Sequence, residues 1–501
     1  MTKPGAITRR AVLLGSAGTA VAAVIPPGQA WATTGEPART AQQAAQQAIP
    51  QATLARPQQW TTTTDLVQTM KPYTPPAFAA TVGAAPAGSI TVDATVTGQA
   101  FDGVGASLTD SSASLLWAMD PTDRLALLTE MYGTNGWATV RICFGSSDFS
   151  SVAPYTYRDT VDPALSRVYI DRDRAYILPV LKLIRQINPA VKVIAAAWTA
   201  PAWMKSGMTD PARPFAGGTL QPQYAVTWAR YLYKSLIAYR DEGIPVYAVS
   251  PQNEPGHSTY YPSMLMSDAT MATVVSTLGQ LLADGPLTTR LWALDANWAD
   301  AKIVDTLLAS DAARWIDGIS WHGYSGSPTL EGRYQGRGLE QHNTEFRTFR
   351  SEIGTTAMQK LASDWTVTSM RNGARSVTMW NLALRSDGTP TLQSKGRQGV
   401  VSIDGTTRAD VTRTTGFWVL SHLGRAVRLG AVRVGSTTYG EGRASRTLQS
   451  VAFRNPDGSI ALVVFNNSTE KEAFTVVDAG RGQGFPATLV PGAFATFTWG
   501  P

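Results

Sequence analysis

Eight short β-branched or apolar runs recur between residues 100 and 384, separated by longer amphipathic stretches, and few folds accommodate that rhythm. The runs are 100–109 (AFDGVGASLT), 138–147 (ATVRICFGSS), 191–199 (VKVIAAAWT), 245–252 (PVYAVSPQ), 290–297 (RLWALDAN), 316–324 (IDGISWHGY), 346–352 (FRTFRSE) and 376–384 (SVTMWNLAL). Between them lie helical patterns such as 175–187 (AYILPVLKLIRQI) and 224–240 (YAVTWARYLYKSLIAYR). Strands alternating with helices call for a parallel sheet, and eight such units close into a (β/α)8 barrel. After about residue 410 the pattern becomes strand and turn. LQSVAFRNPDGSIALVVFNNS reads as two strands around Asn-Pro-Asp-Gly, and PATLVPGAFATFTW as a closing pair. The alternating segment 88–97 (GSITVDATVT) precedes the barrel and is expected to join these strands in an accessory β-sandwich.

The first residues read as a secretion leader over 1–32. Arg9-Arg10 precede an apolar stretch from Ala11 to Ile25, and Ala30-Trp31-Ala32 offers a small-x-small cleavage pattern. The twin arginine resembles a leader that exports folded proteins, so the chain is expected outside the cytoplasm. Residues 33–58, rich in Ala, Gln, Thr and Pro, read as a linker. The remaining organisation is then 59–98 for the N-terminal sandwich strands, 99–409 for the barrel and 410–501 for the C-terminal sandwich. No later segment is apolar enough for long enough to span a bilayer.

Composition narrows the function. Net charge is +6, of which Lys3, Arg9 and Arg10 in the leader supply three, leaving too weak an excess for a nucleic-acid partner. One cysteine, Cys143, and four scattered histidines offer neither a thiolate zinc site nor an HExxH pair, so no metal or cofactor is expected. A monomer is the expected state.

Barrel enzymes place their chemistry at the C-terminal ends of strands. Here those ends carry Asp110, Asp148, Trp198, Asn253-Glu254, Asp295, His322 with Tyr324, Glu352, and Trp380-Asn381. Two glutamates from strands four and seven, ringed by aromatic residues and without metal ligands, suit glycoside hydrolysis. One carboxyl protonates the leaving oxygen and the other attacks the anomeric carbon. Indole and phenol rings offer flat apolar faces to sugar C–H surfaces.

The motifs around those ends occur in a fixed order: FDGVGASLTDSSA (101–113), RICFGSSDFS (141–150), WTAPAWMKSG (198–207), VSPQNEP (249–255), WHGY (321–324), FRSEIG (349–354) and WNLAL (380–384). QQWTTTTD before the barrel and FWVLSHLGRAVRLGAVRV after it extend the set. From about residue 58 to the C-terminus the chain resembles glycoside hydrolase family 30, retaining β-glycosidases of the glucosylceramidase and endo-β-1,6-glucanase type. The resemblance implies that Glu254 is the general acid/base and that Asn253 bonds the sugar 2-hydroxyl. It makes Glu352 the nucleophile, places Asp148, Trp198 and Trp380 around the non-reducing sugar, and gives His322 and Tyr324 the orienting of the nucleophile.

The nucleophile has a second candidate. Glu345 follows a threonine, as family nucleophiles also do, and lies 35 residues before Trp380 against 28 for Glu352. Glu352 is preferred because 346–351 reads as extended whereas LEQHNT before Glu345 looks helical and polar. Protonation of Glu254 is expected from burial and the nearby nucleophile charge. Simpler roles stand beside the functional ones. Asp110 after Thr109 is placed to cap a helix, His322 suits a bonded core histidine, His257 suits a loop, Trp203 and Trp298 suit packing, and Cys143 is a small buried hydrophobe.

The substrate implied is a carbohydrate or glycoconjugate with a β-linkage, nearest in motif to the glucosylceramidase and β-1,6-glucanase branches. β-1,6-Galactanase, β-xylosidase and β-fucosidase specificities are alternatives within the family, and a non-catalytic carbohydrate-binding protein is the alternative outside it.

Overall fold

The computed structural model describes residues 56–80, 88–208 and 210–501. The leader and almost all of the linker expected from the sequence lie outside them.

Eight parallel strands form a closed barrel: Gly103–Leu108, Thr139–Cys143, Lys192–Ala196, Ala248–Ser250, Arg290–Asn297, Gly318–His322, Glu340–Glu345 and Ala374–Met379, each paired with the next and the eighth with the first. Seven of them fall on the runs read from the sequence, and the fifth matches residue for residue. The seventh does not. It is Glu340–Glu345, fully buried along its length despite the sequence EQHNTE, while 346–352 forms a turn.

The reason is that this barrel has polar contents. Glu340 accepts from Arg375 NH1 at 2.6 Å, and His342 pairs with Ser376 Oγ at 2.8 Å while stacking on Trp292 at 3.9 Å. Thr344 Oγ1 donates to Asp295 Oδ1 at 2.8 Å. A strand most of whose polar side chains find partners inside need not alternate in hydrophobicity.

The N-terminal mouth of the barrel is closed by charge. Asp102 takes Lys192 and, at 2.7 Å, Arg375 Nε. His342 Nε2 lies 3.8 Å from Asp102 and 3.6 Å from Glu340, a grouping with metal-like spacing whose carboxylates these cations already neutralise. Close approach of strands one and two needs glycine at 105, where a Cβ would sit 1.8 Å from the Thr139 carbonyl oxygen.

The helices fit the outer ring. Asp110–Ala118 is capped by Thr109, whose Oγ1 accepts from Ser112 N, and Asp268–Asp284 by Ser267. Asp110 has another task, accepting from Ser151 Oγ at 2.7 Å and from Ser151 N, which ties the first loop to the second.

Ten of the other described strands form one sheet folded over into a sandwich. Its order is Lys71–Tyr73, Gln58–Thr62, Phe494–Trp499, Ile460–Asn466, Leu448–Arg454, Val432–Ser436, Ile90–Ala100, Glu472–Asp478, Gln483–Leu489, Ala79–Ala80. Phe485 meets Phe497 and Trp499 across the layer, and Phe474 meets Phe497. Helix Thr415–Ala426 seats the barrel on this sheet. Buried His422 bonds Thr62 Oγ1 at 2.9 Å and Thr496 Oγ1 at 3.0 Å, and burial drives its pKa down to about 3, so it is neutral. N-terminal and C-terminal strands share the sandwich, as the sequence implied.

Candidate active site

Arg141, from the second strand, is the hub of the C-terminal mouth. Fully buried, it donates to Glu345 Oε2 at 2.6 Å, to Asp295 Oδ2 at 2.9 Å and to Asn253 Oδ1 at 2.7 Å. One guanidinium thus fixes side chains from strands four, five and seven. Its outer faces meet Trp198 and Trp380 at 4.8 and 5.4 Å, and those indoles stack on each other at 5.0 Å.

His322 forms the second link. Its Nδ1 lies 3.2 Å from Glu254 Oε1 and its Nε2 3.1 Å from Asp295 Oδ1. Tyr324 OH donates to Glu345 Oε1 at 3.0 Å. A carboxylate oxygen of Glu254, a ring nitrogen of His322 and a carboxylate oxygen of Glu345 lie within 4.8 Å of one another. That is the close spacing of a double-displacement pair, whose carboxyl groups stand about 5–5.5 Å apart.

The backbone is strained where these groups are aimed. Glu254, Leu294 and Asp295 have φ of 46°, 73° and 60°, and strand five bulges between Leu294 and Ala296. Glu254 N donates to the Asp295 carbonyl at 2.9 Å, so the two irregularities support each other. Left-handed backbone at non-glycine residues costs on the order of 1–3 kcal/mol each and persists only where surroundings impose it.

Charge follows from these contacts. Burial alone would depress His322, but Glu345, Asp295 and Glu254 more than offset it and lift its pKa to about 9. Burial likewise opposes ionisation of Asp295, yet Arg141 and His322 hold it well below the usual carboxylate range. For Glu254 the expectation from sequence is reversed. Burial favours the acid form, but the His322 imidazolium outweighs it and holds the carboxyl below its ordinary value. Asp148 goes the other way, pushed up to about 7 by burial and the Glu345 charge.

A stability profile should register this arrangement. His322 binds its proton more tightly folded than unfolded, so its contribution is complete below about pH 6.5 and is lost as pH rises through about 9. Asp148 adds a loss in the same direction as pH rises through about 7. Asp295 has the opposite sign and matters only in strong acid. The melting temperature should therefore fall between about pH 6.5 and 9, and His322→Gln should flatten that fall. A variant that keeps the full slope would place the proton elsewhere.

The cleft over these groups encloses about 540 Å³ and is lined by Asp148, Trp198, Glu254, Tyr324 and Glu345 among others. Asp148 Oδ1 and Trp380 Nε1 are buried there with no partner among the described residues. Asp148, Trp198, Asn253, Glu254, His322, Tyr324 and Trp380 all belong to this region.

Glu352 does not. Its carboxylate accepts from Phe349 N at 3.0 Å and pairs with Lys360, closing the turn after the seventh strand. The expectation that Glu352 terminates strand seven is corrected: Glu345 does. Arg141 and Asp295 stood in recognised motifs or strand ends without a role, and their signal was their position. Arg347, Gln393 and Arg397 also reach the cleft and carried no motif.

Paired carboxylates at the C-terminal mouth of a (β/α)8 barrel braced by a sandwich define a retaining glycoside hydrolase. The Glycosyl hydrolase family 30 TIM-barrel domain matches residues 101–427 and that family's beta sandwich domain matches residues 430–497. The chain belongs to glycoside hydrolase family 30. It is 30% identical over 425 residues to Endo-1,6-beta-D-glucanase neg1 of Aspergillus fumigatus, covering 79% of this chain and 84% of that one. It is 27% identical over 437 residues to Lysosomal acid glucosylceramidase of Mus musculus, covering 80% and 81%. Among solved structures, the endo-beta1,6-glucanase BT3312 superposes with a TM-score of 0.79 at 27% identity, over 89% of this chain and 100% of that one.

Proposed function

We propose that the protein is an exported β-glucosidase-type hydrolase acting on β-1,6-linked glucan, with Glu345 as nucleophile and Glu254 as acid/base. The observation that carries the reading is the Glu254–His322–Glu345 constellation, its carboxylate oxygens within 4.8 Å.

Glu345, oriented by Arg141 and Tyr324, attacks the anomeric carbon as the glycosidic bond breaks. The leaving oxygen takes a proton from Glu254, and a glycosyl ester forms on Glu345. Water, deprotonated by Glu254, then cleaves the ester and returns the sugar with its original anomeric configuration. Before reaction the His322 imidazolium carries the proton nearest Glu254. A sugar covering Glu254 excludes water and favours the neutral carboxylic acid, which moves the proton to the side where it is needed. Asn253 faces the 2-hydroxyl, while Asp148 and Trp380 bond hydroxyls at the non-reducing side.

The relatives named above include two endo-1,6-glucanases, which favours β-1,6-glucan over the other family substrates. The leader over 1–32 supports export. The test is sugar release by the purified protein from aryl β-glucoside, β-1,6-glucan, glucosylceramide, β-1,6-galactan and xylan. β-1,6-Glucan should be cleaved fastest; greater activity on glucosylceramide or xylan would overturn the substrate assignment.

A further inference from the structure

The turn that follows the nucleophile strand holds a cation over the cleft. Trp380 N donates to the Phe346 carbonyl at 2.8 Å, Gln398 N to Thr348 O at 3.2 Å, Thr348 Oγ1 to Gln398 Oε1 at 3.0 Å, and Arg350 N to Gly396 O at 2.9 Å. Residues on both sides of Arg347 are thus tied to the end of the eighth strand and its loop, and Arg347 itself lines the cleft.

Its guanidinium is held by rings rather than by carboxylates. It makes no ion pair among the described residues, and its Nε is buried without a hydrogen-bond partner. The charge centre lies 4.8 Å from the centroid of the Tyr324 ring and 5.1 Å from that of Phe349. Asp148, Glu254 and Glu345 line the same cleft, yet none pairs with it. A cation over the face of a phenol draws on the ring electrons and makes the hydroxyl a stronger donor. Tyr324 donates to Glu345 Oε1 at 3.0 Å. Burial and the Glu345 charge hold its proton tightly, and the Arg347 charge works against both.

That hydrogen bond weighs differently on the two halves of the reaction. In the first half the Glu345 carboxylate gives up charge to the anomeric carbon, and a strong donor holds that charge back. In the second, water attacks the anomeric carbon and passes a proton to Glu254. The bond from that carbon to the Glu345 oxygen breaks, and its electron pair returns to the carboxylate. A donor already aimed at the carboxylate stabilises the charge as it returns.

Resting on the assignment of Glu345 as nucleophile above, we propose that Arg347 is a positioning residue that acts through Tyr324 to speed release of the sugar from Glu345.

The test traps the ester with a 2-deoxy-2-fluoro-β-glycosyl fluoride of whichever sugar the wild type releases fastest from its aryl β-glycoside. Excess reagent is removed and the return of activity is followed, so that only folded, labelled enzyme enters the rate. Arg347→Met should recover about fivefold more slowly than the wild type, the size expected for one partly desolvated cation–π contact. Arg347→Lys should regain most of the rate, because an ammonium over the same ring polarises it too. With a dinitrophenyl glycoside, whose ready departure leaves ester cleavage to limit turnover, Arg347→Met should lower kcat and KM together and keep kcat/KM. Damage to the cleft as a whole would lower kcat/KM instead. In a Tyr324→Phe background the same change should have no further effect. Unchanged or faster recovery in Arg347→Met, or an equal effect with and without the Tyr324 hydroxyl, would overturn the role of Arg347 while leaving Glu345 in place. Absence of label on Glu345, read by peptide mass spectrometry, would bring down the nucleophile assignment and this role with it.

Discussion

Glu345→Gln should lower turnover on a β-glucoside by on the order of 10⁴-fold or more without unfolding the protein, because a neutral amide cannot form the glycosyl ester. Glu352→Gln should leave turnover close to that of the wild type, since the Glu352 carboxylate is engaged by Phe349 N and Lys360 in the turn after the seventh strand. Azide separates the two carboxylates in the cleft. With Glu345→Ala, azide enters the space of the missing side chain and displaces the leaving group once, giving an α-glycosyl azide. With Glu254→Ala, azide intercepts the ester on Glu345, and the second inversion gives a β-glycosyl azide. Proton NMR of the product distinguishes the two. A β-azide from the Glu345 variant, or full inactivation by Glu352→Gln in a folded protein, would exchange the assignments back.

Arg141→Met should be nearly as damaging and should also reduce stability. The guanidinium is wholly buried and its removal strands Asp295, Glu345 and the Asn253 carbonyl oxygen together. Breaking a buried ion pair by removing one partner costs about 3–5 kcal/mol, because the remaining charge stays uncompensated. Urea unfolding of the variant should show that loss, and Arg141→Lys should recover only part, since an ammonium cannot span three acceptors in one plane. Adding Asp295→Asn to Arg141→Met should return some stability by removing one stranded charge. A midpoint unchanged in Arg141→Met would mean that the hub contributes nothing to the fold.

The contrast between strands five and seven explains what was legible from the amino acids. Arg290–Asn297 reads RLWALDAN, a run less clearly marked than most of the eight, yet its apolar residues suffice to place it. Glu340–Glu345 reads EQHNTE, and no hydrophobic pattern distinguishes it from a surface segment. Its neighbour 346–352 carries two phenylalanines, and one of them, Phe349, turns out to be exposed and held by arginines. Pattern reading prices polar residues as solvent-facing, and here their partners come from strands far away in sequence: Arg375, Ser376, Trp292, Asp295. The glutamate was thus displaced by seven positions while the motifs on better-marked strands fell into place. Protonation was misread for the same reason, because burial can be guessed from one strand whereas the opposing imidazolium comes from another. Arg347 and Arg397 depend on the path of loop eight, which no local rule dictates.

The sheet order has a consequence for biosynthesis. Strand Phe494–Trp499 lies between Gln58–Thr62 and Ile460–Asn466, so almost the first described residues pair with almost the last. Until Phe494–Trp499 has been synthesised, the sheet lacks the strand that joins Gln58–Thr62 to Ile460–Asn466, however complete the barrel sequence is. Thr62 and the barrel helix bearing His422 must wait for Thr496 to emerge. Loss of Phe494–Trp499 would therefore leave Gln58–Thr62 and Ile460–Asn466 without the partner they share, and the catalytic barrel seated on a sheet split at that point.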